Sequence, residues 1–483
     1  MCVGKVLSGH VSAGNSKGCY RGSVSCSDAV VRDGRPGCAE IVNIVYDVMR
    51  VRSLSTEVWL AAGVRTPFAK VDGPLAGLDA IELSAPVVRH MVDALGGGVP
   101  DFAVWGAVVP NLTWSNLARE VLMDAGVPPS IPAFSTVMAC ATSMIGAMEA
   151  AAMLDGADRN LALVGGVESM SRIQLGLGQR LSDGIRRFQQ ARSLGQKVSH
   201  LADLKAGDIR LYIPSITNRT TGMSMGEHTE ITAKEWNIAR DAQDRLALES
   251  HARAVAAWER GFFDDLVVPV ADARRDTIPR KDSSLEKLAK LAPSFDRTSG
   301  RGTLTAGNSS PLTDGAAALW VASSAGLARL PAATAAAKLV DWEIAAVDFR
   351  TEGLLMAPAF AIPRLLARNG LRLVDIDLWE IHEAFAAQVL FHIEALEDRN
   401  FVRSKAGVAE DLGRFPRERV NPNGGSVALG HPFGATGARI LSQAVKEIAA
   451  RPSGERCVVS ICTDGGQGGV ILLRSAAKPE RKA

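Results

Sequence analysis

The feature that most constrains this chain's fold is an internal echo. Asp101-Phe102-Ala103-Val104-Trp105-Gly106 reads as a buried strand, and Asp375-Ile376-Asp377-Leu378-Trp379-Glu380 repeats its acid, its apolar spacing and its tryptophan. A helix over residues 79–95 leads into the first copy, and an apolar helix over residues 359–369 leads into the second. A further pairing lies downstream. The helix that follows Cys140 runs to Leu161-Ala162-Leu163-Val164-Gly165-Gly166, and the helix that follows Gly434 runs to Val458-Val459-Ser460-Ile461-Cys462, each a strand closing on glycines. Two similar halves are expected, over residues 56–325 and 335–476. Strands alternate with helices in both, so the class is α/β, with parallel sheets expected.

Between the halves' shared elements, residues 172–298 form an excursion too long for one connection, expected as a subdomain laid over the site. Within it Thr232-Ala233-Lys234-Glu235 has the pattern of a capping box, and an amphipathic run over residues 240–261 follows. The basic stretch 180–205 reads as a solvated helix; its functional alternatives are contact with a nucleotide, a membrane surface or a partner. Residues 1–55 show no sustained period and are left out of the fold. They read as a poorly ordered extension, or as a segment upstream of a start at Met49, in preference to a transit-like leader.

Composition narrows the function classes. With 54 basic against 52 acidic residues the net charge is +2, which supplies no field for nucleic acid, though a local site for phosphates stays open. No apolar run reaches the roughly 20 residues needed to span a bilayer, so a soluble protein is expected, with peripheral membrane contact still admitted. Four of the seven cysteines (Cys2, Cys19, Cys26, Cys38) precede residue 40, leaving Cys140, Cys457 and Cys462 in the body. That is no disulfide framework and fits a reducing compartment. Without a CxxC pair or a histidine-rich ligand pattern, no metal is expected.

Four stretches carry reactive groups at junctions rich in small residues. In Val137-Met138-Ala139-Cys140-Ala141-Thr142-Ser143 a cysteine stands between an extended segment and a helix, whose N-terminus favours a thiolate and lowers the pKa from its free value of about 8.5. Ile381-His382-Glu383-Ala384-Phe385 follows the Trp379 strand. The block from Asn421 to Gly437, which holds His431, is too rich in glycine for a core element, and Cys462-Thr463-Asp464-Gly465-Gly466 ends the last buried strand. Taken singly, each group has a structural explanation: a buried thiol or a satisfied histidine. Two cysteines and two histidines, each at such a junction, instead suit a nucleophile with a base, an oxyanion site and a proton donor.

The set resembles the thiolase family over residues 57–474. "NPNGGSVALGHPFGATGARI" is highly specific to that family, and "ACATS", "GGVESMS" and "LTAGNSSPLTDGAAA" agree in order and spacing. "HEAFAAQ" and Lys290-Leu291-Ala292-Pro293-Ser294-Phe295 look most like the thiolase subunit of fatty-acid oxidation trifunctional complexes. The resemblance implies a thiolase fold: two βαβαβ-type halves in an α-β-α-β-α layered core, with an inserted loop subdomain. It implies Cys140 as nucleophile, His431 as its base, His382 as the partner in a first oxyanion hole, and Cys462 as the second acid/base. Backbone N–H groups of Cys140 and Asp464 would form a second hole. Ala306, Gly307, Asn308 and Ser310, with Met225-Gly226, would hold coenzyme A, a co-substrate and not a bound cofactor.

The implied activity is CoA-dependent cleavage of a 3-ketoacyl-CoA in fatty-acid β-oxidation, with acetoacetyl-CoA synthesis, or a mainly structural β partner, as alternatives. A homodimer or tetramer, docking to a hydratase/dehydrogenase α subunit, and a cytoplasmic location (mitochondrial if residues 1–55 are a transit peptide) complete the expectation. Asp464 departs from the family, which usually has Gly or Ala there.

Overall fold

Strand β1 (Val58–Arg65) is the seam of the molecule, because its two neighbours belong to different halves. In a computed structural model, which describes residues 56–154, 158–202, 205–208, 210–212, 214 and 217–478, it is followed by α1 (Ala80–Asp93), β2 (Phe102–Gly106), α2 (Leu117–Asp124), β3 (Ala133–Phe134), α3 (Thr142–Leu154) and β4 (Leu161–Glu168). The excursion contains α4 (Gln179–Gln190), α5 (Leu194–Ala202), α6 (Met225–Glu235) and α7 (Arg240–Glu259). Then come β5 (Thr313–Ser323), β6 (Ala336–Ala346), α8 (Ala357–Arg368), β7 (Leu378–Ile381), α9 (Ala386–Glu397), α10 (Thr436–Ala449), β8 (Arg456–Thr463) and β9 (Gln467–Arg474). The readings made for residues 1–55, including the start at Met49 and the four early cysteines, lie outside the described residues.

The strands run in the order β7-β8-β9-β6-β1-β5-β4-β2-β3. Read outward from the seam, β1-β5-β4-β2 and β6-β9-β8-β7 are the same arrangement twice. The echo seen in the sequence is therefore one of strands and not of matched residues: Asp377 takes the place of Asp101, and Trp379 then corresponds to Ala103, not to Trp105. Asp101 accepts from the backbone N–H groups of Asn160 and Leu161 at the start of β4, and Asp377 accepts from that of Arg456 at the start of β8. Trp105 and Trp379 are both fully buried.

The expectation of parallel sheets needs correction. β2 pairs β4 and β7 pairs β8 in parallel, while β4–β5, β5–β1, β8–β9 and β9–β6 are antiparallel. A parallel pair needs a crossover, which α3 and α10 provide; β9 follows β8 through a tight turn and can only return antiparallel. Helices α3 and α10 pack together, and α10 touches strands of both halves, while α1 lies on β5 and α8 on β6 and β9. The layers are thus α-β-α-β-α. Sandwiched between sheets, α3 is buried almost all round and its sequence lacks a polar stripe, whereas α10, buried except towards its C-terminal end, carries Arg439, Ser442, Gln443, Lys446 and Glu447 along one face.

Two local expectations in the excursion also change. The capping box lies at Ser224 and Glu227, which exchange bonds at the start of α6, and Thr232 sits inside that helix with its hydroxyl donating to His228 O. The same spacing occurs at both places, and a local pattern does not tell the entry of a helix from its interior. Asn237, at φ 53°, separates α6 from α7, which begins without a side-chain cap. Within residues 180–202 the structure has two helices, α4 and α5, and not one. No helix among the described residues is long and apolar enough to cross a membrane.

Candidate active site

Cys140 stands in a 3₁₀ turn, Ala139–Ala141, directly before α3. Ala139 adopts φ 41°, a left-handed conformation that costs a non-glycine residue about 1–3 kcal/mol. Thr142 holds it there: its Oγ1 donates to Ala139 O at 2.7 Å and accepts from Met138 N–H at 2.9 Å. His382 follows β7, tied by its backbone N–H to Ser460 O, and His431 lies within the glycine block, its backbone N–H donating to Thr313 Oγ1. Their rings meet with centroids 4.2 Å apart. Nδ1 of His382 lies 2.8 Å from Ser426 Oγ, and Nδ1 of His431 lies 2.7 Å from Thr436 Oγ1. Both Nε2 atoms are buried without a protein partner.

One side-chain nitrogen of each histidine and Cys140 Sγ lie within 4.8 Å of one another. These atoms are also close enough to ligate a metal ion, where none was expected; they come from segments far apart in the chain, so no ligand spacing marks them. Cys462, buried on β8 opposite Gly468 of β9, lies near enough to Cys140 for a charge on that sulfur to oppose its own ionisation.

The electrostatics correct the expectation of a resting thiolate. Cys140 is partly buried, and desolvation of its sulfur pushes the thiol up to about 12; the Asp464 carboxylate adds to it, and the backbone N–H groups of Cys140 and Asp464 offset only part. Burial likewise raises Cys462 well above the usual thiol range. For the histidines the same cause acts in the opposite direction: burial, then the charge of Arg439, brings His431 down to about 3. His382 is held well below its ordinary value by burial, then by His431 and Arg439. The resting site is a thiol facing two neutral imidazoles.

Packing explains the glycines. A Cβ on Gly425 would fall 2.2 Å from the Glu383 carboxylate, and one on Gly434 would fall 2.6 Å from Val167 O. Glu383 is held by Ser250 Oγ, Asn421 Nδ2 and Val427 N–H, which fixes the segment behind His382. Glu168 accepts from Val108, Val109 and Gly434 N–H groups and so anchors the turn after His431. Asp464 Oδ1 accepts from Asn218 Nδ2 at 2.8 Å and from Gly465 N–H at 2.7 Å, which ties the excursion to the last motif.

The residues expected to hold coenzyme A gather around the His382 segment. Ser310 donates to Ala384 O through both its N–H and its hydroxyl, each at 3.0 Å, and Leu312 bridges to His431. Asn308 donates to Asp244 while its carbonyl accepts from Ala386 N–H; Ala306 is exposed beside it, and Gly307 packs against Leu288 and Leu291. Met225 is partly buried at the start of α6, where Gly226 lies against Phe295, whose ring packs edge-on to Phe385 at 5.7 Å. Sequence reasoning missed Ser426, Thr436, Arg439 and Asn218. The available signal was Arg439, a charge in the first turn of a helix that follows directly on the glycine block.

The family descriptions "Thiolase, N-terminal domain" and "Thiolase, C-terminal domain" match residues 58–325 and 333–475. The chain belongs to the thiolase family. Among its relatives, this thiolase is 35% identical over 423 residues to a 3-ketoacyl-CoA thiolase of Yersinia enterocolitica, covering 86% of this chain and 96% of that one. It is 35% identical to the 3-ketoacyl-CoA thiolase of Yersinia pestis over 85% of this chain and 95% of the other. Among solved structures, Acat5 thiolase from Ascaris suum in complex with coenzyme A superposes with a TM-score of 0.70 at 29% identity, over 87% of this chain and 100% of that one. Acetyl-CoA acetyltransferase of Bacillus anthracis gives 0.70 at 30% identity, over 88% and 100%.

Proposed function

We propose that this thiolase cleaves a 3-ketoacyl-CoA with free CoA, releasing acetyl-CoA and an acyl-CoA shortened by two carbons, as in fatty-acid β-oxidation. The observation that carries the reading is the pair of histidines that meet at the Cys140 thiol while their Nε2 atoms are left without a protein partner. His431 takes the Cys140 proton as Sγ bonds to the 3-keto carbon, and His382 donates to the oxygen that becomes negative. The C2–C3 bond then breaks; its electron pair leaves as the acetyl-CoA enolate, which takes a proton at C2 from Cys462. A thiol held this high gives up its proton only to a strong base, such as that carbanion. The CoA thiol next attacks the acyl-enzyme and returns a proton to Cys462, while His431 returns its proton to Cys140. Every group ends as it began.

The same residues serve the reverse condensation. We take cleavage as the physiological direction because the relatives at 35% identity are named 3-ketoacyl-CoA thiolases. In the same reading CoA lies against Ser310 and Met225, and the protein acts as a homo-oligomer. Exposed Leu194 and Val198 support the basic stretch 180–205 as a surface for a hydratase/dehydrogenase subunit or a membrane. The test supplies purified protein with 3-ketoacyl-CoA of several lengths plus CoA and measures acetyl-CoA. Cleavage by wild type and a loss of about 10⁴-fold or more in Cys140→Ser are expected; no cleavage at any length would refute the assignment.

A further inference from the structure

Arg439 lies on α10, between the half-sheets, and is 2% exposed. A guanidinium buried so deeply needs partners, and hydrophobic packing alone would not retain it. Its Nη2 donates to Ser426 Oγ at 2.6 Å, while Nε and Nη1 are buried without a bond. Ser426 Oγ is also the atom 2.8 Å from His382 Nδ1. These contacts determine where the protons sit. A guanidinium can only donate, so the serine oxygen accepts from Arg439; among the described residues its one hydroxyl proton has no acceptor other than His382 Nδ1, and it goes there. With Nδ1 accepting, the ring proton of His382 is on Nε2.

His431 is arranged in the opposite sense. Thr436 Oγ1 donates to Pro432 O at 2.9 Å and therefore accepts the Nδ1–H of His431 at 2.7 Å. Nε2 of His431 is left as a bare lone pair. Beside Cys140 the two histidines thus present one donor and one acceptor.

We propose that Arg439 is a positioning residue of this thiolase, acting through Ser426 to lock His382 in the tautomer whose Nε2–H meets the oxyanion on the acyl carbon. The inference rests on the thiolase reading above and deepens it. A second effect of the same charge agrees with it: Arg439 opposes protonation of both His382 and His431, which keeps one available as a neutral donor and the other as a base. Around Arg439, the carboxylates of Glu380, Glu383 and Asp276 favour its charge and Arg65 opposes it. His392 adds to the opposition at His382.

The test uses the full chain with isotope-labelled histidine. Nitrogen and carbon shifts report each tautomer without turnover, and the His382→Ala and His431→Ala spectra assign the signals. Wild type should show His382 protonated at Nε2 and His431 at Nδ1. Ser426→Ala should release His382 from that state and lower kcat about tenfold or more, with KM changed far less. Its acid limb of kcat/KM should stay in place, because no charge is removed. Arg439→Gln should lower kcat similarly and move the acid limb to higher pH, since an imidazolium no longer faces a nearby cation; Arg439→Lys should bring the limb back. If Arg439→Gln does not fold, Ser426→Ala, which removes a single oxygen, still decides. His382 protonated at Nδ1 in wild type, or near-normal kcat in Ser426→Ala, would overturn the proposal. Because the tautomer is read without substrate, an inactive wild type would count against the thiolase reading alone.

Discussion

Two turns in this molecule are built alike and used differently. Ala139–Ala141 precedes α3, and Phe433–Ala435 precedes α10; both are 3₁₀ turns, and each leads through a buried helix to a strand parallel to its half's Asp-Trp strand. Cys140-Ala141-Thr142 and Gly434-Ala435-Thr436 stand in corresponding places. In the first turn Thr142 closes onto its own backbone and the side chain two positions before it is a thiol. In the second, Thr436 reaches back to His431, and the position of the thiol is a glycine pressed against Val167 O. Repetition of the backbone supplied two equivalent platforms, and side chains then divided the chemistry: nucleophile from one half, base and donor from the other.

That division can be broken experimentally. His382 belongs to the second half alone, and His382→Ala should lower kcat about a hundredfold by removing an oxyanion donor; a near-normal rate would return that task to the first half's backbone. The matched threonines give the sharper contrast. Thr436→Val should lower kcat about tenfold or more by freeing His431. Thr142→Val should appear chiefly as a stability loss of about 1–3 kcal/mol in thermal melts, because Met138 N–H loses its acceptor. Equal kinetic losses in the two variants would end the proposed division of labour.

The smallest effect concerns Asp464. Its charge opposes the Cys140 thiolate, so Asp464→Asn should lower the thiol's pKa and raise the thiolate fraction at a given pH. Iodoacetamide should then alkylate Cys140 several-fold faster at pH 8, on the scale of about tenfold per pKa unit. An unchanged rate would remove Asp464 from the account of Cys140.

Much of this was legible before any coordinates. The strands over residues 101–106 and 375–380 marked the halves, and the glycines around Ser426 and Gly434 marked a segment unlike a core element. The second copy, however, offered two acids, and only the position of β8 shows that Asp377 is the counterpart. Asp375 instead accepts from Arg372 N–H in its own turn. Strand direction was misread because periodicity reports burial and says nothing of which neighbour a strand chooses. The false cap at Thr232 has a similar origin.

The charge state of Cys140 is the clearest case. Its place before a helix is a local fact, and by itself that place favours the thiolate. Its desolvation and the carboxylates of Asp464 and Glu168 are contributed by residues distant in the chain, and in a low-dielectric interior they outweigh the local effect. By itself, then, the sequence determined the twofold architecture, the family resemblance and the reactive residues. The tertiary structure alone decided the mixed strand directions, the proton inventory of the site and the roles of Ser426, Thr436 and Arg439, because each depends on which distant groups meet.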